Sequence, residues 1–258
     1  MKETHRNFNP SCSSCGLQKL CFPTGLTHSD ILSLDQVVVH DKPRLRKGEV
    51  LYHAHTPFKS LFAIRSGMVK IYTSLEDGTE VIHGFYFSGD VVGFDGIDSG
   101  RYQQTVEAVD ETHLCELPYA ELKTLAHQLP TLNLHLYEVL SRKLNDSIYQ
   151  AQFLVIKSAE QRLANFLFHT IERIRLRGYD ELDFYFPILH REVANYLGLT
   201  PETVSRLLSQ LSKNKVVTWR KRRVTVHDKE ALKQLAGIAG IQEDLSTACT
   251  DCPKRHHY

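Results

Sequence analysis

Short apolar runs of strand length follow one another between residues 43 and 118. Glycines and polar residues separate six such runs, and Asp77-Gly78 is a hairpin signal. Eight of the 14 glycines stand between Gly48 and Gly100. The pattern predicts strands over 50–52, 61–64, 68–72, 81–85, 91–94 and 106–109. Many short strands with frequent turns are typical of a small antiparallel barrel or sandwich.

The spacing of apolar residues becomes helical after Pro130. The stripe begins at Leu132 and recurs every four residues or close to heptad spacing. A helix lying on its own barrel would also show such a stripe, but the length and narrowness of this one favour the seam of a two-stranded dimer. We therefore predict a dimer interface that contains Leu136, Leu140, Leu144, Ser147 and Ala151.

A second helix is predicted from about Ser158 to Arg177, and the segment from His190 to Leu208 then indicates two short helices joined by a tight turn. Gly198 permits a left-handed backbone at the end of the first short helix. Thr200 can cap the second, whose first position suits a proline. The exposed polar face of this second short helix carries Glu202, Ser205 and Arg206.

That polar face has the chemistry needed to read bases in a major groove. Arg206 can bond bidentately to guanine, Glu202 can accept from an amino group of cytosine or adenine, and Ser205 can reach a base or a phosphate. A solvated face in an ordinary helix bundle is the alternative. The cap, the turn, the buried stripe and the basic hairpin over 216–226 together favour a winged helix-turn-helix, with the hairpin contacting phosphates.

The charge distribution supports a nucleic-acid partner. The whole chain has a formal net charge of only +1. Between residues 187 and 226, however, eight Lys and Arg stand against two Glu. A local positive face on a nearly neutral protein is expected of a sequence reader rather than of a protein that coats DNA.

The composition, with 42% hydrophobic and 24% charged residues over a length of 258, suits a globular protein of two domains. The sequence shows no apolar stretch long enough for a signal peptide or a membrane span, so we expect a cytoplasmic protein that does not bind membranes. In that reducing compartment, six cysteines indicate metal binding, redox chemistry or burial rather than a disulfide framework.

Three cysteines, Cys12, Cys15 and Cys21, stand close together, and Cys115 lies far downstream in a predicted strand. Soft thiolates select zinc or iron-sulfur centres, and four of them close either kind of site. Zinc ribbons usually present two paired Cys-x-x-Cys knuckles, whereas three ligands here share one arm. On the residues alone a cluster and a zinc ion are equally favoured, and a strand cysteine such as Cys115 can also be a small core residue.

Cys249 and Cys252 form another Cys-x-x-Cys pair beside two histidines. They could bind metal or act as a redox pair, which gives two alternative functions: a thiol switch or redox enzyme, and a zinc-stabilised constitutive regulator. Their place in a tail, without a βαβ context, favours an accessory role. The other histidines show no ligand spacing. We find no catalytic constellation and do not expect an enzyme.

Several stretches, in order from about Cys12 to Gly237, resemble the oxygen-responsive FNR branch of the CRP/FNR transcription regulators. They are Leu20-Cys21-Phe22-Pro23, the segments 60–67 and 89–95, Cys115-Glu116-Leu117-Pro118, and the segment 195–206. The resemblance implies an α+β fold: an antiparallel, jelly-roll-like β-roll sensory domain, a long dimerisation helix and a C-terminal winged helix-turn-helix.

The resemblance also implies a cofactor and partners. Its ligand set for a 4Fe-4S cluster is Cys12, Cys15, Cys21 and Cys115. In that family the cluster favours a homodimer, the dimer binds a TTGAT-N4-ATCAA palindrome in double-stranded DNA, and oxygen releases it. Glu202, Ser205 and Arg206 fall on base-reading positions, and the loop 74–79 matches a surface that touches RNA polymerase. No cyclic nucleotide is expected, because the segment 93–100 lacks the Arg that would bind its phosphate.

Two features depart from the family. Its best-known member has an Asp where this chain has Ser147, and the tail with Cys249 and Cys252 has no counterpart there. We expect a cysteine arm at 1–30, a β-roll at 31–129, a dimerisation helix at 130–157, a winged helix-turn-helix at 158–238 and a tail at 239–258. The predicted function is a regulator that senses oxygen, with nitric oxide as a second candidate signal.

Overall fold

The computed structural model describes residues 11–40, 42, 44–156 and 158–238. Within the long helix Pro130–Ile156, the side chains of Asp146 and of residues 149–156 are also outside the description. The predicted tail, with Cys249 and Cys252, and the side chain of Ala151 therefore lie outside the described residues.

A short helix and a β-roll follow the cysteine arm. The elements are α1 (His28–Asp35), β1 (Val50–Tyr52), β2 (Ser60–Ser66), β3 (Met68–Ser74), β4 (Glu80–Phe87), β5 (Val91–Val92), β6 (Thr105–Ala108) and β7 (His113–Pro118). One sheet has the order β1-β6-β3-β4 and the other β5-β2-β7, and every strand pair is antiparallel. The predicted antiparallel roll is confirmed.

The core of the roll explains the apolar runs of its strands. Inward-facing residues of both sheets, among them Ile64, Val69 and Val106, are fully buried in one apolar cluster. Burial of a large aliphatic side chain contributes about 1.5 to 3 kcal/mol, so this layer holds the two sheets together. A second apolar cluster lies beneath the cysteine arm and includes Leu34 of α1 and Leu117 of β7.

Two helices continue from the roll: α2 (Tyr119–Gln128) and α3 (Pro130–Ile156). Helix α3 lies where the sequence predicts a dimerisation helix, and its role in a dimer stays a prediction. Leu132 is buried within its own chain, and Leu136 is half-buried against the cluster beneath the cysteine arm. Farther along, Leu140 and Leu144 are 37% and 61% exposed. The first turns of α3 thus pack on the roll, and the apolar stripe becomes exposed beyond them.

The C-terminal part is a winged helix-turn-helix. It consists of α4 (Ala159–Leu176), β8 (Asp183–Tyr185), α5 (His190–Leu197), α6 (Pro201–Lys213), β9 (Val217–Arg220), β10 (Arg223–Val226) and α7 (Lys229–Leu235), and its strands have the order β8-β10-β9. Ser158 caps α4 in a capping box with Gln161. None of the helices in the described ranges is long and apolar enough to cross a bilayer.

The winged helix-turn-helix packs on the sheet of β4. Ile82, Phe85 and Phe87 of β4 share one buried apolar cluster with residues of α4, α5 and α6. The Asn195 side chain accepts from the Ile82 N–H at 2.8 Å and donates to the Glu80 carbonyl at 2.7 Å. The two halves of the chain therefore share a core, a contact that the sequence pattern did not predict.

Candidate functional site

The four cysteines predicted to bind metal line one cavity of about 210 Å³. Cys12, Cys15 and Cys21 reach it from the arm, and Cys115 reaches it from β7. All four are free thiols and partly buried. The surrounding wall is mostly apolar and includes Phe22, Leu34, Val38, Ala63 and Leu117. Its polar members are Ser11, Ser14, Gln18, His40 and Arg65.

Tight turns give the arm its shape. The Cys15 N–H donates to the Cys12 carbonyl at 3.4 Å, and the Cys21 N–H donates to the Leu17 carbonyl at 2.8 Å. The Thr24 hydroxyl donates to the Cys21 carbonyl at 2.7 Å and stabilises the last turn of the arm. This series of turns brings three thiols from ten consecutive residues to the same cavity.

Asp35 fixes the arm to the rest of the protein, and Gly89 allows the arm to approach the turn after β4 closely. The Cys12 N–H donates to the Asp35 carboxylate at 2.7 Å, which ties the arm to the end of α1. Gly89 has a φ of +92°, and a Cβ there would stand 3.0 Å from the Leu20 side chain. The turn after β4 therefore needs glycine both for its backbone and for the close approach of the arm.

Burial sets the protonation of the thiols. It raises the pKa of Cys12 far above its usual range, and the nearby charges of Asp35 and Cys21 raise it further. Burial likewise raises the pKa of Cys21 to about 12, and it raises the pKa of Cys115. Without a metal these three thiols carry their protons at neutral pH, so a bound cation must displace protons to obtain thiolate ligands.

His40 in the cavity wall and Asp35 beside it are two polar residues that the sequence analysis missed as site residues. His40 Nε2 is 2.7 Å from Asp35 Oδ1, while His40 Nδ1 is 3.5 Å from the Cys115 sulfur. Cys12, Asp35 and His40 each offer one ligand atom, and these atoms lie within 4.8 Å of one another. Neither residue belongs to a recognisable ligand spacing, so only the fold reveals the group.

The arm also contacts α3. The ring of buried His135 lies edge-on to the Phe22 ring, with centroids 5.4 Å apart, and His135 Nε2 donates to the Phe22 carbonyl. Burial lowers the pKa of His135, which favours the neutral imidazole. The Thr131 hydroxyl, also on α3, donates to Asp30 of α1 at 2.9 Å, so α3 contacts the helix that follows the arm as well. The residue after Cys21 is thus bonded directly to the helix that carries the predicted dimer seam.

The helix-turn-helix places its predicted base-reading residues on one open face. Gly198 adopts the left-handed conformation with a φ of +61°, and the Thr200 hydroxyl accepts from the Thr203 N–H at 3.2 Å. The residues buried on the inner face of α6 are Val204, Leu207, Leu208 and Leu211. Those exposed on the outer face include Glu202, Ser205 and Arg206.

The wing is a tight hairpin between β9 and β10. Its two turn residues, Lys221 and Arg222, have φ values of +47° and +68°, as a primed hairpin turn requires. Arg223 forms an ion pair of 2.6 Å with Asp183 and so already has an acidic partner within the chain. Lys221 and Arg222 remain at the tip, where they can meet a phosphate.

Two family models match the chain in the regions just described. A cyclic nucleotide-binding domain matches residues 42–128, and a Crp-like helix-turn-helix domain matches residues 161–235. The fumarate and nitrate reduction regulatory protein of Escherichia coli K12 is 36% identical over 226 residues, which are 88% of this chain and 90% of that protein. Its counterpart in Yersinia pestis is 35% identical with the same coverage.

The chain belongs to the CRP/FNR family of transcription regulators. The resemblance inferred from the sequence is thereby confirmed, as is the fold class. Among solved structures, FixK2 from Bradyrhizobium japonicum has a TM-score of 0.68 and 27% identity, covering 75% of this chain and 95% of that one. TTHB099 of Thermus thermophilus, with a TM-score of 0.62 and 22% identity, shares the fold. The CRP/FNR relatives are DNA-binding transcription regulators rather than enzymes.

Proposed function

We propose that this chain is an oxygen-responsive regulator whose Cys12, Cys15, Cys21 and Cys115 hold a 4Fe-4S cluster. The observation that carries the proposal is the meeting of these four thiols at one largely apolar cavity. The donor set fits, because iron-sulfur clusters take four cysteine thiolates and are sheltered by an apolar shell. When bound, the cluster supplies an iron-sulfide centre that oxygen can oxidise. Nitric oxide is a second candidate signal.

The chain's own contacts give a route from the arm to the dimer helix. Ligation by Cys21 fixes the neighbouring Phe22, whose ring and carbonyl are both in contact with His135 on α3. A change in the arm therefore alters the packing of the first turns of α3. Coupling between the cluster site and the dimer seam requires an element with two arrangements whose balance both sites shift. We propose that α3 is this element.

Dimerisation through the exposed part of α3 would complete the DNA-binding unit. Leu144 and Ile148 are 61% and 48% exposed, and a stripe of this kind is typical of a coiled-coil seam. Two paired chains would present two copies of α6 to successive major grooves of a TTGAT-N4-ATCAA-like palindrome. The exposed hairpin loop between β3 and β4 is the proposed surface for RNA polymerase. We propose that the regulator acts in the cytoplasm, without a cyclic nucleotide.

Anaerobic purification tests the cluster. The full-length protein should absorb in the visible range, contain four irons and four sulfides per chain, and bleach in air. Cys115→Ala should lose this absorbance together with specific DNA binding, whereas the matched control Cys249→Ala should keep both. Undiminished iron and sulfide in Cys115→Ala would contradict the ligand set. A colourless, air-indifferent protein with zinc, or one with thiol turnover, would instead favour the constitutive regulator or the redox enzyme.

A further inference from the structure

Cys12, Asp35 and His40 form a compact group with three different ligand types. Their sulfur, oxygen and nitrogen atoms lie within 4.8 Å of one another. Around a tetrahedral zinc ion, bond lengths of about 2.0 to 2.3 Å place ligand atoms roughly 3.4 to 3.6 Å apart. In the protein His40 Nε2 and Asp35 Oδ1 are 2.7 Å apart, so on metal binding the two side chains would rotate until this hydrogen bond opens to the ligand separation and both face the Cys12 sulfur.

The backbone already holds these side chains toward a common point. Asp35 is the last residue of α1, and its carboxylate accepts the Cys12 N–H at 2.7 Å. His40 directly follows Val39, which pairs with Glu116 of β7 in an isolated β-bridge. The end of a helix, a β-bridge and the anchored arm thus each contribute one ligand, and ligands held in this way lose little freedom on binding.

The second nitrogen of His40 has a suitable partner as well. If Nε2, the atom beside Asp35, coordinates a metal, Nδ1 carries the ring proton and can donate to the Cys115 sulfur, 3.5 Å away. Histidine ligands usually donate their other ring N–H to a neighbouring acceptor, which fixes the tautomer and orients the ring. The side chains of His40 and Asp35 are 14% and 18% exposed, which leaves access for an ion and for a water as fourth ligand.

We propose that the cluster-free chain binds one divalent transition-metal ion, such as zinc or ferrous iron, through Cys12, Asp35 and His40. Thiolate, imidazole and carboxylate together suit such borderline ions. On binding, the Cys12 S–H bond breaks, the sulfur bonds to the metal, and the proton leaves to solvent. The site shares Cys12 with the four-cysteine set, so a cluster and the single ion exclude each other. The proposal does not depend on the cluster, because Asp35 and His40 are outside that set.

Cobalt(II) is the probe for this site. The test uses metal-free, full-length protein carrying Cys249→Ala and Cys252→Ala, which removes the thiols of the tail, under anaerobic conditions. One equivalent of cobalt should give a thiolate-to-cobalt charge-transfer band and tetrahedral visible bands. Added zinc should displace it. His40→Ala and Asp35→Asn should each weaken cobalt binding at least tenfold, with unchanged far-ultraviolet circular dichroism.

Two matched controls separate this site from the four-cysteine set. Cys21→Ala removes a proposed cluster ligand but should keep the cobalt bands, and His53→Ala removes an exposed histidine and should also keep them. Cobalt bands that persist unchanged in His40→Ala, or that disappear in Cys21→Ala, would overturn the proposal. Iron and sulfide uptake by His40→Ala, measured in parallel, reports on the cluster separately.

Discussion

Arg177, the residue directly after α4, donates a hydrogen bond of 3.1 Å to the carboxylate of Asp90, in the turn that follows β4. Arg173, one helical turn earlier, bonds the other oxygen of the same carboxylate. Arg177 also donates to the Ser88 carbonyl at 2.6 Å. A single carboxylate therefore joins the β-roll to the first helix of the DNA-binding half, beside the Gly89 turn on which the cysteine arm rests.

Asp90→Ala should destabilise the docking of the two halves. Arg177 is only 6% exposed, and removing one partner of a buried ion pair leaves a charge without compensation. We expect Asp90→Ala to lower the free energy of unfolding by about 3 kcal/mol, as measured by urea denaturation. Glu111→Gln breaks the exposed pair with Arg44 and should cost less than about 1 kcal/mol. If both variants lost the same free energy of unfolding, the Asp90 ion pairs would stabilise the fold no more than an exposed pair does.

The same carboxylate should make stability depend on pH. Burial raises the pKa of Asp90, but the charges of Arg173, Arg177 and Lys143 outweigh it and hold the pKa below its usual range. A depressed pKa in the folded state stabilises the protein above the unfolded value of about 3.9. This contribution should disappear as the pH falls through the folded-state value. Urea midpoints from pH 7 to pH 3 should decline less steeply for Asp90→Asn than for the parent chain.

His135→Ala should loosen the cysteine arm from α3. The buried Phe22 carbonyl would lose its donor, which costs about 1 to 3 kcal/mol. His135→Gln retains a donor and should recover part of the loss. Hydrogen exchange of the arm amides reports the change, with exposed His113→Ala as the control. Unchanged protection of the arm in His135→Ala would mean that this contact does not hold it.

Ser147→Asp should shift the cluster-free protein toward monomers. Ser147 is exposed, and its hydroxyl donates to the Lys143 carbonyl at 2.9 Å. Because serine is neutral, it adds no charge to the proposed seam. An Asp would face its symmetry mate, and two like charges resist pairing. Sedimentation should show a weaker dimer for Ser147→Asp and Leu144→Asp, and an unchanged one for Leu176→Asp, which alters an exposed leucine elsewhere. A strictly monomeric parent chain that Ser147→Asp leaves unaltered would contradict this placement.

Substitutions in α6 and in the wing should have different effects on DNA binding. Arg206→Ala should cost about 1 to 3 kcal/mol at one base position and relax discrimination there. Arg222→Ala should weaken binding to all DNA sequences and reduce the salt dependence by about one released counterion. Titrations of matched and substituted palindromes at several salt concentrations measure both effects. Full discrimination against a substituted guanine in Arg206→Ala would mean that this residue does not read it.

Local sequence signals were sufficient to predict several of the helices and strands. Short apolar runs located β2, β3 and β4, and Thr200, Pro201 and Gly198 located the turn of the helix-turn-helix to the residue. The spacing of Cys12, Cys15 and Cys21 was enough to identify the arm. Each of these features depends on residues that are neighbours in sequence, so a single chain suffices to detect it.

The missed features depend on long-range contacts. Helix α1 has only Ile31 and Leu34 as buried apolar residues, too few to show a period. His40 and Asp35 join the metal-binding region because the fold brings them to Cys12 and Cys115. The docking of the helix-turn-helix on β4 is likewise invisible locally. Residues such as Asn195, more than a hundred positions from Ile82, meet only in the folded protein.

The Asn195 amide also protects an edge. Strand β4 is the outermost strand of its sheet, and edge strands offer unpaired amides and carbonyls to other chains. Asn195 occupies one such amide and one such carbonyl, as a neighbouring strand would. A chain whose DNA-binding half swings away from the roll would therefore uncover a sheet edge competent for intermolecular strand pairing, and solubility would come to depend on the docked arrangement.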